Sequence, residues 1–109
     1  MIIIIPQIIA KGFCAVTIYP FVILKNQESR NDVVLLNHEY IHLRQQKELF
    51  WVFFFLWYGI EYLIRLIYYK NSYLAYRNIS FEREAYHHEF DLDYLKNRKP
   101  LEFFRFLKL

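Results

Sequence analysis

Residues 38–42 read His-Glu-Tyr-Ile-His, two histidines four positions apart with a glutamate directly after the first. On an α-helix, side chains four residues apart lie one above the other on the same face. His38 and His42 can therefore present two imidazole nitrogens to a single metal ion. Glu39 lies one position around the helix, where its carboxylate can reach a water on that metal without binding the metal itself. The stretch predicts a helix with a metal-binding face.

The residues on both sides of this motif favour a helix. Residues 32–47 contain neither Gly nor Pro, and Ser29, Asn31 or Asp32 can supply the N-cap. We predict one helix over residues 32–47, with the motif in its middle. The alternative is a helix that carries two histidines on its polar face by chance. The metal site is preferred because the motif lies well inside the helical stretch.

The segments around this helix predict a small sheet and a second helix. Residues 2–9 and 13–24 are rich in Ile, Val, Phe, Tyr and Thr and predict two strands. Pro20 cannot donate to a ladder, so the second strand is expected at an edge or with a bulge. A second helix is predicted over residues 48–69, where Gly59 is a position for a kink or a break.

The last part of the chain predicts further helix. Glu61 and Arg65 lie four residues apart and are expected to form an ion pair. A third helix is predicted over residues 80–97, with Ser80 as its N-cap. The tail, residues 101–109, alternates bulky apolar and charged residues and predicts a short helix or a strand. Strands followed by helices indicate an α+β fold.

Length and composition limit the class of protein. With 109 residues the chain is expected to form a single domain over residues 1–109. Its 56% hydrophobic and 21% aromatic content excludes a disordered chain. A net charge of +3, with dispersed Lys and Arg, argues against nucleic acid as a partner. Cys14 is the only cysteine, which excludes an internal disulfide and a cysteine zinc site and fits a cytoplasmic protein.

The aromatic density of residues 48–69 raises the question of a membrane. The stretch is long enough to span a bilayer, at about 31 Å of helix, but a span would put Glu61 and Arg65 into hydrocarbon. It would also separate His42 from every residue beyond the stretch, so no metal ligand could come from there. A helix packed in the core is the first expectation. A peripheral contact between the aromatics and a membrane is the second.

A third metal ligand is expected downstream of the motif, because catalytic zinc commonly has three protein ligands and one open position. The extended motif H-E-x-x-H-x-x-G-x-x-H is excluded, since Gln45 and Glu48 stand where its Gly and third His would be. Residues 80–86, Ser-Phe-Glu-Arg-Glu-Ala-Tyr, hold the best candidates. Glu82 and Ala85 share a helix face, and the small Ala85 would let this helix approach the motif helix closely.

Two glutamates and two histidines compete for this third position. Glu84 lies about 200° around the helix from Glu82, so only one of the two can face the metal. We prefer Glu82, with Glu84 as the second choice. His87 and His88 are rival ligands, although such histidines more often lie on a surface.

Residues 37–46 (Asn-His-Glu-Tyr-Ile-His-Leu-Arg-Gln-Gln), the aromatic-rich helix and residues 81–86 (Phe-Glu-Arg-Glu-Ala-Tyr) resemble the small bacterial gluzincin-type metallopeptidases called minigluzincins. More distantly, they are similar to the peptidase domains of HtpX-like and BlaR-like membrane proteases. The resemblance covers residues 30–90. It implies a zincin-like fold, in which a small N-terminal sheet packs on an active-site helix and a glutamate helix.

The resemblance also bears on the ligand. In the E-x-x-x-D pattern of the prenyl-protease and HtpX-like proteins, the Glu binds zinc and the Asp supports a motif histidine, which implies Glu82 as the ligand here. Tyr86 stands at the Asp position, so no carboxylate partner for a histidine is found there. The BlaR-like spelling, E-R-E with its second Glu as the ligand, implies Glu84 instead.

These observations predict zinc-dependent hydrolysis of peptide bonds in a peptide or protein substrate. His38, His42 and Glu82 would hold Zn²⁺, and Glu39 would act as the general base. No residue is assigned as a donor to the oxyanion. A latent enzyme covered by the tail, residues 101–109, is a variant of this hypothesis. A non-catalytic zinc-binding protein and a membrane-associated interaction protein with an accidental motif are the alternatives.

Overall fold

The computed structural model describes residues 1–108, and in this part of the chain a three-stranded sheet is followed by five α-helices. The α+β class predicted from the sequence is confirmed. The elements are β1 (Ile2–Ile4), β2 (Ala15–Ile18), β3 (Phe21–Leu24), α1 (Val33–Glu48), α2 (Val52–Tyr69), α3 (Ser72–Arg77), α4 (Ser80–His88) and α5 (Tyr94–Asn97), with 3-10 turns at Pro6–Ile8, Gln27–Asn31 and Glu102–Phe106.

The sheet has the order β1-β3-β2, with β1 parallel and β2 antiparallel to the central β3. The strand predicted over residues 2–9 ends at Ile4, because Pro6 starts a 3-10 turn. The single strand predicted over residues 13–24 is wrong, since this segment is the β2–β3 hairpin. Pro20, expected at an edge or a bulge, lies in the turn of the hairpin, where its missing N–H breaks no ladder bond.

Helix α1 agrees with the prediction to within a residue at each end. Of the three N-cap candidates the structure uses Asp32, whose side chain accepts a hydrogen bond from the backbone N–H of Leu35. One side of α1 contacts β2 and another contacts α4. The motif lies in the middle turns, so its side chains are enclosed between the sheet and α4.

Helix α2 starts later and is far more exposed than predicted. A turn at residues 49–51 separates it from α1, and Gly59 lies inside the helix without breaking it. The predicted pair of Glu61 and Arg65 is present, with Oε2 and Nη2 3.2 Å apart. Only these two residues and Phe54 are buried among the 18 of the helix, so the expectation of a core helix is wrong. A chain this short cannot cover both sides of the helix. By length and composition α2 could cross a membrane.

The helix predicted over residues 80–97 is two helices, α4 and α5. The break follows His88, where the side-chain amide of Asn37 donates to the backbone carbonyls of His88, Glu89 and Asp91. Ser80 is not the N-cap, because its N–H and hydroxyl both donate to the carboxylate of Glu61. The short helix α3 had no counterpart in the prediction.

Two buried clusters fix α4 in place. Phe81 packs with Phe54 of α2 and with Phe103 of the tail, at ring-centroid distances of 4.4 Å in both cases. Ala85 packs with Ile41 of α1 and with Tyr94. The tail forms a 3-10 turn at Glu102–Phe106 that packs against α4. Of the two structures predicted for the tail, a short helix or a strand, the short helix agrees with this turn. The glutamate-bearing helix is thereby held directly against the motif helix.

Candidate metal centre

The side chains of His38, His42 and Glu82 converge on one point. Glu82 Oε1 lies 3.2 Å from His38 Nε2 and 3.0 Å from His42 Nε2, and the two Nε2 atoms are 3.2 Å apart. Ligand atoms about 2.0–2.1 Å from a tetrahedral zinc are separated by about 3.3 Å, so this triangle has the size that such an ion requires. All three residues are buried. Two nitrogen donors and one carboxylate oxygen could therefore hold a metal ion.

Each histidine is oriented by a partner on its other ring nitrogen. His38 Nδ1 lies 2.8 Å from Oε1 of Glu89, and His42 Nδ1 lies 2.8 Å from Oε1 of Gln45. Both partners are acceptors, so Nδ1 carries a hydrogen and Nε2 is the ring nitrogen that faces the centre and could bind a metal. Tyr86 stands where the resemblance places a carboxylate that supports a motif histidine. Glu89 supplies such a carboxylate to His38. Tyr86 instead packs the edge of its ring against His38, at a centroid distance of 4.5 Å.

Glu84, the second choice for the third ligand, lies away from the centre. Its carboxylate accepts hydrogen bonds from Arg98, Tyr94 and Gln45 and is fully buried. Burial alone would raise the pKa of Glu84, but the hydrogen bonds and the charge of Arg98 lower it, so the group is anionic. Glu84 therefore holds the amide of Gln45, and Gln45 in turn holds His42.

The rival histidines also lie outside the centre. His87 is exposed, and His88 stacks on the ring of Tyr94 at 3.7 Å. Burial and the neighbouring His87 lower the pKa of His88. Both residues are in the last turn of α4, more than one turn beyond Glu82.

Glu39 lies beside the three ligands without joining them. Its Oε1 accepts a hydrogen bond of 2.9 Å from the hydroxyl of Thr17 on β2, and the same hydroxyl is 3.1 Å from the Glu39 backbone oxygen. This contact leaves Oε2 without a partner among residues 1–108. Glu39 lines the same cleft as His38, His42 and Glu82. The glutamate of the motif is thus placed next to the metal position but not on it.

The centre concentrates negative charge around its histidines. Burial alone would lower the pKa of His42, but the carboxylate of Glu82 outweighs it and raises the pKa to about 9. In the same way burial would raise the pKa of Glu82, whereas His42 and His38 lower it. Without a metal, a proton on His42 balances Glu82. A divalent cation bound at the same place would replace that proton.

Four tyrosines surround the site: Tyr58, Tyr76, Tyr86 and Tyr94. Only Tyr86 among them was considered from the sequence. The hydroxyl of Tyr58 donates to Oε2 of Glu82 at 2.8 Å, which holds the ligand oxygen Oε1 towards the histidines. Tyr76 and Tyr86 share a hydrogen bond of 2.8 Å and both line the cleft. Burial, and next the charge of Glu82, raise the pKa values of Tyr58 and Tyr76, so both hydroxyls stay protonated. Tyr94 completes the set from the far side, through Glu84.

Signals for these supporting residues were weak in the sequence. Gln45 follows His42 by three residues, a spacing that puts both on one helix face and could have been read. Tyr58 and Tyr76 come from α2 and α3, whose packing against the site depends on tertiary structure. Glu89 lies just past the end of α4, in a stretch predicted as uninterrupted helix.

The ligands open into an apolar cleft of about 600 Å³ between α1, β2 and the start of α2. Its apolar walls are Ile8, Ile9, Phe13, Val34, Leu35, Phe54 and Phe55, among others. The described part of the tail, residues 101–108, contributes nothing to this lining and packs on α4 instead. In this structure the tail therefore does not cover the cleft.

Strand β2 forms one wall of the cleft, and one of its edges pairs with no strand among residues 1–108. Val16 pairs with Ile23 in the β2–β3 ladder, and the neighbouring bond joins Lys25 N–H to Cys14 O. Backbone groups alternate in direction along a strand, so those of Ala15 and Thr17 point away from β3. Edges of this kind accept an extended peptide by strand addition.

Gln46 occupies one end of that edge. Its Nε2 donates to the backbone oxygen of Thr17 at 2.7 Å, and its Oε1 accepts from the backbone N–H of Tyr19 at 2.7 Å. These two backbone groups are therefore not available to form hydrogen bonds with a further residue of a bound peptide. The edge left for pairing consists of the N–H and C=O of Ala15 and the N–H of Thr17.

Comparison of the chain with protein-family models, with curated proteins and with solved structures finds no match. The interpretation of the site therefore depends on the geometry of its own residues.

Proposed function

We propose that this protein is a zinc-dependent metallopeptidase that hydrolyses peptide bonds. One observation carries the proposal: His38 Nε2, His42 Nε2 and Glu82 Oε1 lie within 3.2 Å of one another at the base of a cleft that also contains Glu39. Two histidines and one carboxylate, with a free position on the cleft side, are the donor set of catalytic rather than structural zinc.

The choice of zinc follows from the donors. Imidazole nitrogen with a single carboxylate oxygen suits zinc, whereas calcium and magnesium prefer six or more oxygen ligands. When bound, zinc lowers the pKa of a coordinated water towards 7 and polarises the carbonyl of a substrate. The remaining steps belong to residues of the chain.

Glu39 would act as the general base and then as the general acid. The Thr17 hydroxyl holds one oxygen of its carboxylate, which leaves the other free to take a proton from the attacking water. Glu39 would then pass this proton to the leaving amine as the carbon–nitrogen bond breaks. Thr17 is a positioning residue, because it touches Glu39 and not the reacting atoms.

The substrate would be an extended peptide on the free edge of β2. Its backbone would pair with Ala15 and with the N–H of Thr17, next to the side chain of Glu39. Gln46 would end the pairing at Thr17, since it already binds the next two backbone groups. The apolar walls of the cleft favour uncharged side chains around the bond that is cleaved.

The Tyr76–Tyr86 pair is our candidate for the oxyanion donor. Both rings line the cleft on the side of α4, one of the two hydroxyl hydrogens is not needed for the bond between them, and Tyr76 remains protonated because its pKa is raised. A protonated hydroxyl in a buried site can donate to a developing negative charge without rearrangement.

A zincin-like fold is part of the proposal. The arrangement of β1–β3 against α1, with α4 supplying the glutamate, supports the resemblance to minigluzincins and, more distantly, to HtpX-like and BlaR-like peptidase domains. The HtpX-like pattern would make Glu82 the ligand and the BlaR-like pattern would make it Glu84, and the geometry of the centre supports Glu82.

The proposal is tested with the Glu39→Gln variant. Because Glu39 is not a ligand, the variant should keep one zinc per chain by elemental analysis, while hydrolysis of a peptide library falls by at least about 100-fold for want of a base. Glu28→Gln, an exposed glutamate before α1, is the matched control and should cleave like the wild type.

One ligand variant completes the test. Glu82→Ala should lose zinc and activity together, whereas unchanged zinc content would assign the third ligand elsewhere. If the wild type binds zinc and cleaves no peptide of the library, the centre is a non-catalytic zinc site. Equal turnover by wild type and Glu39→Gln would remove the mechanism.

A further inference from the structure

The outer side of α2 is an apolar surface that no described part of the chain covers. We define the α2 face as the exposed large apolar residues of its outer side and of the preceding turn: Phe50, Trp51, Val52, Phe53, Leu56, Ile60, Leu63, Ile64, Ile67 and Tyr68, which are 49–77% exposed. Six of them, between Phe53 and Ile67, fall on one stripe at helical spacing. The face offers roughly 1,000 Å² of apolar surface, above the 300–600 Å² of a typical monomer.

Charge is absent from the α2 face because the helix turns its charged residues inward. Glu61 and Arg65 are its only charged residues, and both are buried. Glu61 accepts hydrogen bonds from Ser80, and Arg65 donates to Glu61 and to the backbone oxygen of Leu107. The exposed side of the helix therefore presents apolar and aromatic side chains without a charged one.

The charges that border the face are positive. Lys47 is exposed shortly before α2, Lys70 is exposed at its C-cap, and Lys108 is exposed beside Leu107, which packs on α2. The acidic groups in this region are already neutralised, since Glu48 pairs with Arg98 and Glu102 with Arg105. Exposed acids occur instead around the start of α1 and after α4, at Glu28, Asp32, Asp91 and Asp93.

We propose that the α2 face docks on the surface of an anionic phospholipid bilayer. Apolar side chains would enter the boundary between headgroups and acyl chains, and the bordering lysines would meet lipid phosphates. A second copy of the chain suits this surface less well. An antiparallel pair of α2 helices would set Lys47 of one copy beside Lys70 of the other, and a parallel pair would set each lysine beside its equivalent.

The helix would lie in the plane of the membrane rather than cross it. The chain before α2 supplies His42 and the chain after it supplies Glu82, and the two side chains meet at 3.0 Å. Both ends of α2 are therefore on the same side of any bilayer. A recess of about 490 Å³ between α2 and Leu107 is open at this face. Its lining is mainly apolar, with Phe53, Leu56 and Ile60 among others, and the Glu61–Arg65 ion pair forms part of its wall, so its apolar side could take the end of an acyl chain.

Co-sedimentation of the full chain with vesicles tests this docking. The probes are vesicles of phosphatidylcholine with phosphatidylglycerol at roughly three to one, and vesicles of phosphatidylcholine alone. Wild type should bind the anionic vesicles, more weakly in high salt, with a blue shift of tryptophan emission. Both tryptophans, Trp51 and Trp57, belong to this region. The double variant I60E/I67E should lose binding by about tenfold or more, because two charges would enter the apolar boundary.

The matched control is F90E/L92E, which adds the same charge at two exposed apolar residues after α4. It should bind like the wild type. Circular dichroism checks that both doubles are helical, and L63Q/I67Q replaces I60E/I67E if the latter does not fold. Failure of the wild type to bind anionic vesicles would overturn the proposal. Equal binding by I60E/I67E and F90E/L92E would also overturn it. A dimer that is stable in sedimentation equilibrium and does not bind the vesicles would do the same. None of these outcomes depends on peptidase activity.

Discussion

At the scale of single residues, the centre is shaped as much by the partners of its ligands as by the ligands themselves. Gln45 is the clearest case. Its Oε1 accepts from His42 Nδ1, and its Nε2 donates to Glu84 and to the backbone oxygen of Phe81. Because both amide atoms are engaged in a buried site, the side chain cannot flip without losing hydrogen bonds. His42 is therefore held with Nε2 towards the centre.

We predict that Gln45→Leu weakens zinc binding roughly 10- to 100-fold, the usual effect of removing a partner of a ligand histidine. The leucine would leave His42 Nδ1 without its hydrogen bond and Glu84 Oε1 with the bond from Arg98 alone, and the imidazole would lose its fixed orientation. Competition with a chromophoric chelator measures the affinity. Gln27→Leu, at an exposed glutamine before α1, is the control and should bind zinc normally. Wild-type affinity in Gln45→Leu would mean that packing alone orients His42.

At the scale of elements, the distance between α1 and α4 sets the centre. Ala85 is fully buried between Ile41 and Tyr94, one turn from Glu82. A small residue here lets the two helices come close enough for Glu82 to reach both histidines. The sequence predicted this close approach, and the structure confirms the packing of Ala85 on α1.

We predict that Ala85→Leu destabilises the protein by about 1–3 kcal/mol, because the added carbons find no space in a packed contact. It should also weaken zinc binding, since α4 would move away from α1 and carry Glu82 with it. Chemical denaturation and metal titration measure the two effects. Ala10→Leu, at an exposed loop position, should leave both unchanged. Loss of stability without loss of zinc affinity would show that the centre tolerates a wider spacing.

At the scale of the whole molecule, a metal would join two helices through His42 and Glu82, ligands that are 40 residues apart in the chain. Binding to the folded state alone would add its free energy to folding. The size of this gain depends on pH through His42. In the metal-free protein its pKa is raised to about 9, so its contribution to stability is complete below about 6.5 and is lost as pH rises towards 9. Zinc has to displace the same proton, and so it binds better as pH rises.

We predict that the stability of the metal-free protein and the stabilisation by zinc change in opposite directions with pH. Between pH 6.5 and 8 the metal-free protein should lose stability, while the gain from zinc should grow by about 1 kcal/mol per pH unit. Thermal unfolding with zinc or with a chelator, across this range, measures both. His42→Ala should show neither trend, provided that it folds by circular dichroism. A gain from zinc that stays constant with pH in the wild type would contradict the displacement of a proton.

Much of the site was readable because it depends on local spacing. The four-residue separation of His38 and His42, the absence of helix breakers around them, and the opposite directions of Glu82 and Glu84 on one helix are consequences of 3.6 residues per turn. Helix α1 followed from this geometry, and so did the conclusion that only one of the two glutamates can face the metal. The hairpin at Pro20 and the end of α4 at His88 did not, because turns there depend on long-range contacts such as the hydrogen bonds of Asn37.

The amino-acid sequence by itself determined the α+β class, the motif helix and the residues able to converge on a metal, since these depend on hydrophobic pattern and helical period. Tertiary structure alone decided that Glu89 orients His38, that Tyr58 holds Glu82, and that the rest of residues 1–108 leaves an apolar face of α2 uncovered. Such features depend on which side of one element meets another. That is decided by packing over distances that no local pattern along the chain contains.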